Sequence, residues 1–176
     1  MKKKFNLGIS FQRYFNHIGK PFEKILDSLN ITENRSDIKQ EFDKISIKNF
    51  AKIKLYKDVK KTIEFLKKKK VKTAIVTSKN FKRTKLILNR FKIKVDIVQC
   101  PNKKLRGKPF PDQILKVVKK MKMRKKECIY VGDTKFDQIG SRKSGIDFVL
   151  AYYGYKIGIK NHKTKIKNIT QVKNFI

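Results

Sequence analysis

Acidic side chains are scarce in this chain: its 176 residues carry 14 Asp and Glu against 47 Lys and Arg, a formal charge of +33. Such an imbalance ordinarily points to nucleic acid or an anionic membrane surface as partner. Yet the lysines run along the whole sequence, among abundant Ile and Asn, as in a composition-wide bias rather than one binding face. On either reading, non-specific and salt-sensitive attraction to polyanions is expected. Cysteine is almost missing as well. Cys100 and Cys128 alone suggest neither a disulfide framework nor a metal knuckle. Long apolar runs are absent, so no segment reads as a bilayer-spanning helix, and Met1 to Phe5 lacks a signal peptide's apolar stretch. The expectation is a soluble, cytoplasmic protein without a membrane partner; nothing in the sequence speaks to its oligomeric state.

What is present argues against disorder. Hydrophobic residues make up 39% of the chain and thirteen are Phe, enough for one domain with a core and a small appended unit. From about residue 10 to 54 the periodicity is helical: Phe22, Ile25, Leu26 and Leu29, then Ile38, Phe42 and Ile45, with the polar turn Asn30 to Ser36 between them. From about residue 57 the pattern alternates. A helix bearing Val59, Ile63 and Leu66 ends in Lys67 to Lys70, cations that suit a helix C-terminus. Strands are expected at Val71–Thr77, Val95–Val98, Cys128–Val131 and Phe148–Tyr152. Between them run helices carrying Thr84, Leu88 and Phe91, then Ile114, Val117, Val118 and Met121, then Phe136 and Ile139. That alternation predicts an α/β fold with a parallel, Rossmann-like sheet. The tail from Lys156 reads as loop with one more short strand or helix.

In open parallel sheets ligands bind beyond the carboxyl ends of the strands, and three polar clusters fall there. Thr77-Ser78-Lys79-Asn80 closes the first strand and opens a helix; its hydroxyls and free N–H groups suit a phosphate, although they equally suit an ordinary cap. Gly107-Lys108-Pro109-Phe110-Pro111-Asp112 holds a lysine in a stiff turn, able to meet a phosphoryl oxygen as a point charge. Pro follows Gly107-Lys108 where a phosphate-binding loop needs Ser or Thr, which excludes a nucleotide triphosphatase of that type. Gly132-Asp133-Thr134-Lys135-Phe136-Asp137 places two carboxylates four residues apart at a strand end, a spacing that suits Mg²⁺ or, alternatively, a helix cap. His17 and His162 have no partner pattern for a triad or a zinc site.

In this order the three clusters resemble the haloacid dehalogenase superfamily, in particular its phosphoglycolate phosphatase-like branch, over roughly residues 55 to 155. Ala74-Ile-Val-Thr77 is similar to the second motif, Gly107 to Asp112 to the third (G-K-P-x-P-D), and Gly132 to Asp137 to the fourth (G-D-x-x-x-D). Ser144-Gly145, Leu55 to Val59 and Tyr152 to Tyr155 resemble flanking segments of the same family. The resemblance implies residues 55–176 as the catalytic core and 1–54 as part of a small helical cap. It implies Mg²⁺-dependent hydrolysis of a small phosphorylated metabolite through an aspartyl-phosphate. Thr77 and Ser78 would bind the phosphate, Lys108 would neutralise it, Asp133 would hold the metal, and Asp137 would support the metal from behind its direct ligands or serve as an alternate ligand.

The family's first motif, D-x-D on an opening strand that carries the nucleophile, has no counterpart in these 176 residues. The resemblance places that strand between those bearing Thr77 and Asp133. The expectation is therefore a truncated phosphatase, inactive and poorly cooperative alone. A degenerate homologue that binds phosphorylated ligands without turnover, or a basic nucleic-acid-binding protein, are the alternatives.

Overall fold

The first third of the chain forms three helices, and the spacing of apolar positions lets the second and third each bury part of one face. The computed structural model describes residues 4–102, 104–160 and 162–176. Helix α1 (Phe11–Phe15) is capped by Ser10, whose hydroxyl accepts from the Arg13 N–H at 3.2 Å. Helix α2 (Phe22–Ser28) buries Ile25 and Leu26, and α3 (Arg35–Lys48) buries Ile38. The two meet through stacked Phe22 and Phe42 rings, 4.2 Å between centroids, and through Arg35, which pairs with Asp27 at 2.8 Å and Glu23 at 3.1 Å.

The remainder alternates as expected. The order is α4 (Val59–Lys68), β1 (Ala74–Val76), α5 (Phe81–Arg90), β2 (Ile97–Gln99), α6 (Asp112–Met121), β3 (Ile129–Gly132), α7 (Lys135–Ser144), β4 (Asp147–Ala151) and β5 (Lys165–Ile166). The tail supplies both a strand, β5, and a 3₁₀ turn, Ile169–Phe175. Caps account for the helix limits. The Asn80 side chain accepts from the Arg83 N–H at 2.8 Å, and Gly145, at φ +69°, ends α7 in the left-handed region where a side chain is disfavoured.

Every strand pair is parallel, but the strands form two sheets instead of one. One is β1–β2; the other is β3–β4–β5. Burial follows this split. Strand β4, paired on both sides, keeps Phe148, Val149, Leu150 and Ala151 at 9% exposure or less. Strands β1 and β3 each have an edge that no described strand pairs with, and Ile129 at the start of β3 remains 36% exposed. Between these edges runs a groove of about 730 Å³. The β-branched run Val71 to Thr77 thus yields only three paired residues, because a ladder exists on one of its sides alone.

Candidate active site

The carboxyl ends of β1 and β3 carry the polar residues singled out above. Thr77 follows β1 directly; its N–H donates to the Gln99 carbonyl at 3.0 Å, and its hydroxyl oxygen accepts from the Lys79 N–H at 3.1 Å. The hydroxyl proton of Thr77 therefore stays available to an incoming oxygen. Ser78 is turned differently. Its hydroxyl donates to the Gly19 carbonyl at 2.5 Å, stitching the helical segment to the core.

Lys108 comes from the loop before α6 and is buried with Asp137 on α7: Nζ and Oδ1 are 2.6 Å apart, with side-chain exposures of 9% and 5%. Burial by itself disfavours both charges. For Lys108 the Tyr130 hydroxyl and the Asp137 carboxylate outweigh it, so its pKa lies above the usual lysine value. For Asp137 burial is likewise outweighed, by Lys108 and by Thr134, and the carboxyl stays below the ordinary Asp value. Asp137 receives more than one lysine. Thr134 Oγ1 donates at 2.6 Å, the Thr134 and Asp133 N–H groups at 3.1 and 3.4 Å, and the Tyr130 hydroxyl at 3.2 Å. Five donors fill both oxygens, so the carboxylate that the spacing offered to a metal is held here by a capping box and an ion pair.

Asp133 is the open carboxylate. Oδ2 accepts from the Tyr155 N–H at 2.8 Å, and no hydrogen bond to Oδ1 is found among the described residues. Partial burial raises its pKa; the Tyr155 amide opposes this, Asp137 adds to it and Lys108 counters it. Gly154 lies against it so closely that a Cβ there would fall 2.4 Å from the Asp133 Cβ. Three tyrosines surround this acid. Tyr56 and Tyr153 meet edge to face at 5.0 Å, and the Tyr153 hydroxyl is pushed up to about 12 by burial, then by Tyr56 and Asp133.

The rim is cationic and aromatic. Lys79 has its pKa lowered by burial and by Arg83 and Lys108, against the attraction of Asp133. Helix α1 leans over this edge through Phe15, whose ring centroid lies 5.9 Å from that of Tyr155. Gly19, at φ +109°, approaches Thr134 so closely that a Cβ would stand 2.9 Å from its Oγ1.

Thr77, Lys108, Asp133 and Asp137 are thus brought to one end of the two sheets, while Ser78 is committed to the helical segment. Sequence reasoning missed Tyr130 and Thr134. A polar ring inside the apolar run Cys128 to Val131 was the available sign of the first; a capping pattern, Thr134 with Asp137 three residues on, was that of the second. The close approach of α7 to β3 makes a direct prediction. An ideal Cβ on Gly132 would lie 2.4 Å from the Asp137 Cβ and 3.1 Å from the Phe148 ring. Gly132→Ala is expected to destabilise the fold by about 1–3 kcal/mol through overpacking, measured by urea denaturation; an unchanged midpoint would contradict this packing.

A cation fits at Asp133. Mg²⁺ binds through one or two carboxylates and completes its shell with water and substrate oxygens, so one half-buried carboxylate with an open oxygen is a sufficient protein contribution. Among the described residues no group of three His, Cys, Asp or Glu gathers into a metal cage. No helix among them is long and apolar enough to cross a membrane.

Comparison with known proteins bears on the fold and the family. A family profile described as haloacid dehalogenase-like hydrolase matches residues 2–151. The putative pyrophosphatase PpaX of Caldanaerobacter subterraneus is 33% identical over 95 residues, 53% of this chain and 43% of that protein, so the match spans less than half of that relative. Among solved structures, a predicted phosphoglycolate phosphatase from Haemophilus somnus superposes with a TM-score of 0.82 at 21% identity, over 98% of this chain and 85% of the other. A hydrolase from Pseudomonas syringae superposes with a TM-score of 0.81 at 19% identity, over 98% and 85%. At such identities the structures establish the fold.

Proposed function

The chain belongs to the haloacid dehalogenase-like hydrolase family, and from that premise we propose that it supplies the phosphate- and cation-binding half of a phosphate monoester hydrolase. The observation that carries this reading is the position of Thr77 directly after β1 and of Asp133 directly after β3, with Lys108 held by Asp137 beside the second. Tyr130 links the two strands: its hydroxyl reaches the Val76 carbonyl of β1 at 3.5 Å and Asp137 at 3.2 Å. The substrate we infer is a small phosphorylated metabolite. The cations Lys79, Arg83 and Lys108 attract its phosphate, and Phe15 and Tyr155 flank the approach.

In phosphoryl transfer, positioning and charge neutralisation do most of the catalytic work. The Thr77 hydroxyl donates to a phosphoryl oxygen. Lys108, fixed in direction by Asp137 and Tyr130, offsets negative charge on the transferring group. Asp133 is the residue to hold Mg²⁺, which supplies further positive charge to the phosphoryl oxygens when bound. Nothing in the 176 residues matches the paired aspartates that deliver a nucleophile in this family, and Asp137 is enclosed by five donors. Uncatalysed phosphate monoester hydrolysis is among the slowest reactions in water. These residues alone are therefore expected to bind and not to turn over.

Calorimetric titration of inorganic phosphate with and without Mg²⁺, alongside release of p-nitrophenol from p-nitrophenyl phosphate, tests the proposal. Expected are Mg²⁺-dependent phosphate binding, its loss in Asp133→Asn, and no release of p-nitrophenol above background. Phosphate binding indifferent to both Mg²⁺ and Asp133→Asn would sink the reading. So would a chain that binds duplex DNA tightly in Asp133→Asn and phosphate not at all.

A further inference from the structure

A second cavity lies at the end of the sheet opposite to Thr77 and Asp133. Its lining gathers where strands begin: Ile129 is the first residue of β3, Asp147 the first of β4, and Thr164 directly precedes β5. Helix α7 adds Gln138 and Arg142. The catalytic candidates stand at the other ends of these same elements. Asp133 follows β3, and Asp137 sits in the first turn of α7 while Arg142 sits in its last. A strand rises about 3.3 Å per residue, so Ile129 and Asp133 are roughly 13 Å apart.

The volume, about 910 Å³, is generous for a small-molecule site and exceeds what a lone phosphate or an amino acid fills. The lining mixes rings with polar groups. Phe148 and His162 meet edge to face, 5.1 Å between centroids, and Phe175, 40% exposed, adds a third ring. His162 has a fixed tautomer: Nδ1 lies 2.9 Å from the Thr164 carbonyl, which only accepts, so Nδ1 carries the proton and Nε2 is left as an acceptor. The remaining polar side chains are unspent. Among the described residues Gln138, Arg142 and Asp147 make no side-chain hydrogen bond or ion pair, although the last two carry opposite charges and line one cavity. This set is complementary to a flat heteroaromatic ring joined to an anion. The rings offer it a face, Gln138 offers an amide donor and acceptor, and Asp147 and His162 Nε2 accept from ring N–H or sugar O–H groups. Arg142 presents a fork of donors whose shape matches a phosphate.

We propose that this cavity is a nucleotide-binding site separate from the catalytic one: it takes a nucleoside monophosphate, its base against His162 and Phe175 and its phosphate on Arg142. A ligand held by Arg142 also ties down the helix whose first turn carries Asp137, the partner of Lys108, so occupancy stabilises the fold by mass action. The proposal rests on the cavity and its unspent side chains and does not depend on the hydrolase reading.

The chain contains no Trp, so a single introduced one reports locally. Phe175→Trp places it in the cavity; Phe11→Trp, at a position 72% exposed, places it beside Phe15 and hence at the catalytic rim. Both are titrated with adenosine 5′-monophosphate, adenosine and inorganic phosphate, without Mg²⁺, at about 0.15 M salt, where exposed charges more than about 8 Å apart are screened. A saturable one-to-one change in the Phe175→Trp emission is expected with the nucleotide, and none with Phe11→Trp. Adenosine should bind roughly tenfold more weakly, for want of the contact between Arg142 and phosphate. Inorganic phosphate should leave the Phe175→Trp emission unchanged. Adding Arg142→Gln should bring the nucleotide down to the affinity of adenosine and leave adenosine as it was, while Asp147→Ala should weaken both. Without either reporter, the nucleotide should raise the melting temperature of the chain, and Arg142→Gln should remove most of that rise. The proposal is overturned by no saturable response, by an equal response to inorganic phosphate, or by a response at Phe11→Trp in place of Phe175→Trp. Affinities indifferent to both Arg142→Gln and Asp147→Ala would overturn it as well. The phosphate titration reads Asp133 and Mg²⁺, neither of which enters here, so the two readings fail separately.

Discussion

Replacing Lys108 by Met is expected to cost about 3–5 kcal/mol of folding stability, the usual penalty for stranding one member of a buried ion pair. The reason is the environment already described. Lys108 and Asp137 lie 2.6 Å apart with exposures of 9% and 5%, so the carboxylate left behind could not be rescued by solvent. For a chain of this size the midpoint of thermal unfolding should fall on the order of 10 °C. The pH dependence carries a sign. Asp137 has a depressed folded pKa, so its contribution is present above the unfolded value and is lost as pH falls through the folded one. Lys108 has a raised folded pKa, so its contribution is present below its unfolded value and is lost as pH rises through the folded one. The deficit of Lys108→Met is thus widest between the two ranges, from roughly pH 4 to roughly pH 10. Toward pH 4 it narrows, because the unpaired carboxyl can take up a proton. Adding Asp137→Asn should restore part of the loss. Urea titrations at pH 7 and pH 4 decide the matter: a single-variant cost below about 1 kcal/mol would mean that the pair is not desolvated as described.

The second large effect concerns cooperativity. A single domain of 176 residues unfolds with an enthalpy of about 0.7 kcal/mol per residue near 60 °C, on the order of 120 kcal/mol in all. Here the two sheets share no ladder among the described residues, so the β1–β2 part and the β3–β5 part are expected to open separately. The van't Hoff enthalpy should come out at about half the whole-domain value or less. Amide exchange should report the same division. The groove-facing N–H groups of Ala74 and Val76 should exchange well before that of Leu150, which is fully buried and bonded to Thr164 at 3.0 Å. One sharp transition with the full enthalpy, and uniform protection across both sheets, would show that the halves are coupled through the helices strongly enough to act as one.

Much of this architecture was legible from residue order. β-branched and apolar runs alternating with helical stripes marked the strand and helix order, and the parallel direction followed from helices recurring between strands. Strand ends were less so. Val71 to Thr77 reads as seven residues of strand but pairs over three, because ladder length is set by the neighbours and not by propensity. The candidate site divides along the same line. Thr77, Lys108 and Asp133 could be named from their position at strand ends, a rule that is local in sequence. What each side chain then does is decided by partners far along the chain. Ser78 bonds to Gly19, 59 residues away, and Lys108 is enclosed by Tyr130 and Asp137. No periodicity encodes those meetings. The same holds for Asp137: spacing offered it to a metal, while its five donors come from three other residues of its own loop and strand and one distant lysine.

The excess of lysine acquires a colloidal meaning beside the two open strand edges. Unpaired edges flanked by apolar walls are templates on which identical chains stack, and proteins commonly guard such edges with lysine. In this chain the guard is global. A charge of +33 on 20.8 kDa makes any two copies repel before their edges can align. That repulsion is only as long as the Debye length, about 10 Å at 0.1 M salt and 3 Å at 1 M. The chain is therefore a particle whose tendency to clump is governed by the ions around it: dispersed in dilute buffer, and drawn together by salt or along any polyanion that cancels its charge.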